Sequence, residues 1–190
     1  MNEDLEKMWE KLSLTEVKQV EMVVEKDWLE EVREAGKHCL IGRLVLNKRV
    51  NLEAMKNVLS MVWKLCARMT IKEVGNRVFI FHFEDIGEKE NVLLRQPWFF
   101  NKSLLVLENY DDHSKPEDFK LHWCPFWVQI HGLPLGMMIE KIGLILGESI
   151  GDVEELDVDN DKLVWGKYLR VRVLLNITHP LKKGSKVAIF

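Results

Sequence analysis

The stretch from Cys39 to Tyr110 constrains the fold more than any other part of the sequence, because its apolar residues change period in a fixed order. An apolar run at 39–46 is followed by a helical pattern, two strand patterns, a second helical pattern and a last apolar run at 104–107. This order, β-α-β-β-α-β, is the plan of ferredoxin-like domains, which RNA-recognition domains share. We therefore predict an α+β fold with a ferredoxin-like, RNA-recognition-like domain over residues 39–110.

Composition excludes several classes of protein. The chain has 190 residues, of which 47% are hydrophobic and 30% charged, as is typical of soluble globular domains. Its three cysteines lie far apart without a C-x-x-C pair, so we predict neither a disulfide framework nor a zinc site. The same pattern predicts an intracellular location, in the nucleus or cytoplasm. The longest apolar run, at 137–150, is interrupted by charged residues and is too short for a membrane span.

An acidic leader, residues 1–38, carries 11 Asp or Glu against 6 Lys or Arg within a net charge of −3 for the chain. Residues 3–12 have the apolar spacing of a short amphipathic helix. Two interpretations remain open beyond them: one helix over 13–36, or a short strand at 22–24 followed by a helix over 27–36. Three consecutive apolar residues at 22–24 favour the second. We expect a mostly helical leader that buries its apolar side chains against another surface.

The first helix and the third strand of the domain indicate where its core lies. Asn51 is a good N-cap, and the helix that follows has an apolar stripe at Leu52, Met55, Leu59 and Val62. In the strand at 78–83, alternation puts three phenylalanines on one face, namely Phe79, Phe81 and Phe83. We predict that both sets pack into the core, and that residues 98–100 plug the core before the last strand.

The opposite face of this sheet is predicted to be aliphatic. Val78 and Ile80 occupy it on the third strand, and Leu40 is the expected matching position on the first strand. RNA-recognition domains stack bases on aromatic residues at this face, so its aliphatic character argues against base stacking here. Because an exposed aliphatic surface is normally buried, we expect protein to cover it, either the leader or a partner chain.

A second α+β unit, residues 123–190, follows a polar linker at 111–122. Strand patterns at 126–131, 153–158 and 168–177 and a helical pattern at 136–150 repeat the β-α-β-β order, with an extra strand at 186–190. The unit is predicted to be related to the first but incomplete or rearranged. Because the sequence stops inside an apolar run, we expect it to be a piece of a longer protein.

Several blocks of the sequence resemble one plant family. They are residues 40–44 (LIGRL), 79–85 (FIFHFED), 97–100 (PWFF), 126–134 (FWVQIHGLP), 147–151 (GESIG) and 180–182 (PLK). They are similar to the plant domain-of-unknown-function 4283 family, found in LINE-type retroelement first-open-reading-frame proteins and their domesticated relatives. The resemblance implies binding of RNA or single-stranded nucleic acid. Members usually continue into a zinc knuckle, which is missing from this sequence, so no zinc site is assigned.

One face of the second unit's sheet is the candidate binding surface. With Val128, Ile130, Val171 and Val173 inward, alternation puts aromatic, amide and cationic groups on the opposite face. These are Trp127, Gln129, His131, Tyr168, Arg170 and Arg172. A basic track is expected to extend the face through Lys167, Lys182, Lys183 and Lys186. Such a surface can stack bases and hold phosphates; the alternative is an ordinary solvated sheet face.

Other chemical sites are not supported. Asp157, Asp159 and Asp161 have a calcium-like spacing but lack the glycine and closing glutamate of such loops, so a turn is the better interpretation. Glycines at 143, 147 and 151 predict close packing of a helix on the sheet, and no catalytic set has a supporting motif. We predict a non-enzymatic nucleic-acid-binding protein without cofactor or metal. The alternative is a protein-interaction or assembly module whose sheet faces are covered by protein, because the two sheets pack on each other or on a second copy of the chain.

Overall fold

A computed structural model describes residues 26–45, 50–75, 77–115, 118–157, 166–182 and 184. The chain divides into two units, residues 1–32 and 33–190. The first described element is helix α1 (Lys26–Lys37), which confirms the helix predicted over 27–36. The leader patterns at 3–12 and 22–24, the start of the alternative helix at 13 and the strand at 186–190 lie outside the described residues. Within the described part, no helix is long and apolar enough to cross a membrane.

The described residues form an α+β structure with two antiparallel sheets. The elements of the first sheet and its helices are β1 (Cys39–Leu44), α2 (Leu52–Trp63), β2 (Met69–Gly75), β3 (Val78–Phe83), α3 (Ile86–Leu94), β4 (Trp98–Phe100) and β5 (Ser103–Asn109). Their strands lie in the order β2-β3-β1-β5-β4. The predicted core plug at 98–100 is thus an edge strand, in which Phe100 is buried but Phe99 is 53% exposed.

The core of the five-stranded sheet is aromatic, as predicted. Phe79, Phe81 and Phe83 are all buried against α2. The stripe of α2 differs from the prediction, because Val62 is 45% exposed and Trp63 is buried in its place. Residues that are four apart lie on one side of a helix, so the buried line runs through Met55, Leu59 and Trp63.

The strand register corrects one prediction about the other face of this sheet. Leu40 lies opposite Phe81 and belongs to the aromatic core, whereas Ile41 lies opposite Ile80. Opposed residues of neighbouring strands point to the same side, so Ile41 and not Leu40 lies on the outer face. A shift of one residue in the expected pairing is enough to cause this error.

The outer face is covered by the chain's own residues. Ile41, Val78 and Val106 are buried there in one cluster with Leu121 and Cys124. The partly buried side chains that pack against this cluster are those of Val74, Leu104, Phe119, Phe126 and Ile177. The outer face is therefore covered by the segment that leads into the second sheet and by the start of that sheet. The sequence predicted a cover of protein but assigned it to the leader or a partner chain.

The second sheet repeats the predicted β-α-β-β order. Its elements are β6 (Trp123–His131), a 3-10 turn (Leu135–Met137), α4 (Glu140–Glu148), β7 (Asp152–Asp157) and β8 (Tyr168–Asn176), with strand order β6-β8-β7. Helix α4 packs closely on the sheet, because a Cβ at Gly143 would lie 2.7 Å from Leu156 Cδ1 and one at Gly147 would lie 2.6 Å from Val153 Cγ2. The close packing predicted from these glycines is confirmed.

Candidate nucleic-acid interface

The register of β6 and β8 assembles most of the predicted surface. Opposed pairs along these strands are Trp127 with Arg172, Gln129 with Arg170, and His131 with Tyr168. Val128 and Ile130 alternate with them and pack instead in the core beneath α4. The predicted alternation of the two strands is thus observed. We call Trp127, Gln129, His131, Tyr168 and Arg170 the aromatic face.

Contacts within the aromatic face join rings and cations. The ring centroids of His131 and Tyr168 lie 5.1 Å apart with planes inclined by 52°. Arg170 places its Cζ 4.4 Å from the ring centroid of Trp127, a cation–π contact. Gln129 Oε1 lies 3.2 Å from His131 Nε2. Because Gln129 and His131 are exposed and the other three side chains are half-buried, ring surface and polar groups are available to a ligand.

A carboxylate reduces the positive charge of the face. Arg170 Nη1 lies 3.5 Å from Asp157 Oδ2 on the neighbouring strand β7, and the two side chains are 43% and 59% exposed. An exposed pair of this kind contributes less than about 1 kcal/mol, so a phosphate competes with Asp157 for Arg170 at little cost. The sequence drew attention to Asp157 only through a calcium-like spacing, and its pairing with Arg170 depends on the β7 register, which includes a bulge.

Arg172 does not belong to an open cationic surface, which corrects the prediction. Its side chain is only 8% exposed, and its Nε donates to Glu154 Oε2 at 2.9 Å. The two terminal nitrogens donate to the carbonyl oxygens of Leu94, at 2.7 Å, and Gln96, at 3.0 Å. Leu94 is the last residue of α3, whose end carbonyls lack partners within the helix. Arg172 therefore joins the second sheet to the end of α3.

Two lysines of the predicted basic track, Lys167 and Lys182, lie in the described residues. Lys182 is exposed, and its Nζ donates to the carbonyl oxygen of Ser149 at 2.7 Å. Lys167 is exposed next to the start of β8. Lys183 and Lys186 lie outside the described residues. Lys167 and Lys182 remain as candidate phosphate contacts beside Arg170.

The titratable groups near the second sheet do not form a metal site. In the described part of the chain, no group of three or more His, Cys, Asp or Glu side chains is arranged to hold a metal. Cys124, which follows His122 by two residues, is buried. Burial raises the pKa of the Cys124 thiol to about 12, against a smaller lowering by Arg172. The thiol therefore stays protonated and packs as an apolar group.

One comparison with known proteins covers the first sheet. Residues 32–118 match the family model of a domain of unknown function, DUF4283. The chain carries a DUF4283 domain. A relative from Arabidopsis thaliana, uncharacterized protein At4g02000, is 27% identical over 97 residues. That alignment covers 51% of this chain and 30% of the length of the relative. Because the DUF4283 match ends before β6, the aromatic face lies outside the matched residues.

Proposed function

We propose that this chain binds single-stranded nucleic acid, RNA in the first place, at the aromatic face and without catalysis. The observation that carries the proposal is the pair of side-chain contacts on one accessible sheet face, His131 with Tyr168 and Arg170 with Trp127. Proteins that bind single strands stack bases on such rings, at about 1–3 kcal/mol for each base. The resemblance to LINE-type first-open-reading-frame proteins supports the same function.

The two sheets have different roles in this proposal. The order β2-β3-β1-β5, with β4 added at the edge, supports a ferredoxin-like arrangement for residues 39–109. RNA-recognition domains of that arrangement bind on the outer face, where Leu121 and Cys124 lie in this chain. We therefore assign binding to the second sheet and a supporting role to the first.

Stacking, rather than phosphate contact, dominates the proposed binding. Arg172 is committed to Glu154 and to backbone carbonyls, and Arg170 is shared with Asp157. At most Arg170, Lys167 and Lys182 contact phosphates among the described residues. At a slope of about −0.7 for each phosphate contact, these three residues contribute about −2 to the slope of log K against log salt concentration. This is shallower than an open basic face would produce.

Fluorescence anisotropy with a labelled single-stranded RNA, at low and at moderate salt, tests the proposal. The double variant Trp127→Ala/Tyr168→Ala is expected to bind at least about tenfold more weakly, because two stacking surfaces are removed. Phe99→Ala is the matched control, since Phe99 is an exposed aromatic residue on the other sheet. Absence of wild-type binding at low salt, or equal losses in both variants, would reject the aromatic face as the binding site.

A second candidate function is a protein-interaction and assembly module that associates with itself. The observation that favours it is an exposed apolar row on α2, formed by Val58, Met61 and Val62, of which Met61 is 73% exposed. Residues at this spacing lie on one side of a helix. Light scattering over a range of concentrations is expected to show association that Met61→Glu abolishes. A monomer at every concentration would exclude this candidate.

A further inference from the structure

A groove of about 560 Å³ lies beside β6, which is an edge strand of the second sheet. Its lining comes from β6, from the loop and 3-10 turn that follow, from the end of α4, and from residues 182 and 184. Its apolar lining residues include Met137, Leu146 and Ile150, and its polar ones include Gln129, His131 and Lys182. The volume lies in the range of small-molecule sites.

The described lining of the groove is mostly apolar and includes one cation, which suits a ligand with an apolar surface and a negative charge. Aliphatic and thioether side chains form most of the wall, and among the described residues that line it Lys182 alone carries a formal charge. The aromatic face, by contrast, has Asp157 beside it. An anionic ligand is therefore favoured at the groove more than elsewhere on this sheet.

Backbone groups of β6 also point toward the groove. Ile177 N donates to His122 O, and the register pairs these two residues, so 122, 124, 126, 128 and 130 are the positions that exchange hydrogen bonds with β8. The intervening residues direct their backbone groups to the opposite edge. Gln129 and His131, which line the groove, thus turn N–H donors and C=O acceptors toward it.

We propose that this groove accepts one unstacked nucleobase of a single strand whose neighbouring bases stack on the aromatic face. The proposal rests on the proposed function and extends it to a second contact. Gln129 and His131 belong both to the aromatic face and to the lining of the groove. The two sites are therefore adjacent, and one single-stranded nucleic acid can occupy both. The base ring packs against Leu146 and Ile150, its polar edge pairs with backbone groups of β6, and its phosphate lies beside Lys182.

The experiment measures binding of a labelled uridine octamer and of the same octamer with one abasic position, moved along the strand. Wild-type protein is expected to lose about tenfold in affinity when one particular base is missing. Met137→Trp is designed to fill the groove. This variant is expected to bind the intact octamer about as weakly as wild-type protein binds the octamer that lacks that base, and removal of the base is expected to change its affinity no further. Leu135→Trp is the matched control, because Leu135 lies in the same 3-10 turn, is 76% exposed and does not line the groove.

The outcomes separate the two proposals. If wild-type protein does not bind the octamer, the proposed function fails and the base site fails with it. If wild-type protein binds but Met137→Trp keeps full affinity and the same abasic sensitivity, only the base site is overturned. An extended valine–threonine peptide tests whether the groove binds a peptide strand instead of a nucleobase. If the peptide, and not RNA, shifts the amide resonances of Gln129 and His131, the groove is a strand-addition site.

Discussion

The two sheets differ in the exposure of their outer faces: one is buried and the other is accessible. The five-stranded sheet buries Ile41, Val78 and Val106 beneath Leu121 and Cys124. The three-stranded sheet leaves the aromatic face accessible over the ends of β6 and β8. Aliphatic side chains gain only by leaving water, whereas rings with polar edges retain useful contacts with a ligand. The difference in side-chain chemistry thus explains which sheet supports the fold and which presents a surface.

Reciprocal arginine contacts hold the two sheets together. Arg43 of β1 donates from Nη2 to the carbonyl oxygen of Leu121 at 2.7 Å, just before β6. Arg172 of β8 donates to the carbonyl oxygens of Leu94 and Gln96 at the end of α3. The first sheet thus supplies Arg43 to a carbonyl group next to the second sheet, and the second sheet supplies Arg172 to carbonyl groups next to the first. The covered face is fixed by polar contacts at its borders as well as by apolar burial.

The largest expected effect is a difference in reactivity between two thiols. Burial raises the pKa of Cys124 to about 12 from an ordinary value of 9.0, whereas Cys66 is exposed. Only the thiolate reacts, and Cys124 is both buried and almost wholly protonated at about pH 8, so it is expected to be alkylated much more slowly than the exposed Cys66. Iodoacetamide labelling followed by peptide mass spectrometry measures both rates. Comparable rates in native buffer would show that the sheets separate readily.

Leu121→Ala tests whether the cover stabilises the first sheet. Leu121 is fully buried, and its truncation removes apolar contacts and leaves a cavity, so we expect a loss of about 3 kcal/mol in the free energy of unfolding. Urea denaturation measures the loss, and increased binding of an apolar dye reports exposure of the face. Leu135→Ala, at an exposed position, is the control. A loss below about 1 kcal/mol would mean that Leu121 contributes little to the cover.

Arg172→Met is expected to cost less, about 2 kcal/mol. The substitution leaves Glu154 and two carbonyl oxygens without their donor, but Glu154 is 39% exposed and water replaces part of the lost bonding. Arg170→Met is the matched control on the same strand and is expected to cost less than about 1 kcal/mol, since its ion pair is exposed. Equal costs in urea denaturation would contradict a structural role that is specific to Arg172.

Features that depend on neighbours in sequence were predictable. Asn51 caps α2 by accepting from Ala54 N, as its position before an apolar periodic run indicated. Asp85 caps α3 in the same way, by accepting from Glu88 N. The alternation of β6 and β8 likewise placed Trp127 and Tyr168 on one face. Periods of two and of three to four residues carry this information directly.

Features that depend on contacts across the fold were not predictable. Alternation gives two faces but not which face Leu40 joins, because that depends on pairing with β3. Alternation along β8 placed Arg172 on the outward face and gave no sign that it is buried. It is buried because α3 ends beside β8, where Arg172 contacts Gln96, 76 positions away in the sequence. Leu121 lay in a polar linker, with no periodic neighbours to mark it as core. Long-range packing therefore decided the composition of the candidate site.

The smallest expected effect is a pH-dependent one at the border of the covered face. Glu108 lies opposite Ile41 on β5, and burial raises the pKa of its carboxyl group, against lowering by His122 and Arg43. The folded state thus holds this proton more tightly than the unfolded chain. Its contribution to stability is full below the ordinary pKa of 4.5 and is lost as pH rises through the folded value.

Glu108→Gln removes this dependence, since a neutral amide of similar shape replaces the carboxylate. The variant is expected to match the wild type near about pH 4 and to be the more stable protein near neutral pH, in urea denaturation at both values. Glu73→Gln, at an exposed site on β2, controls for loss of one negative charge from the same sheet. A variant less stable than wild type at neutral pH would show that the carboxylate's attraction to His122 and Arg43 outweighs the cost of its burial.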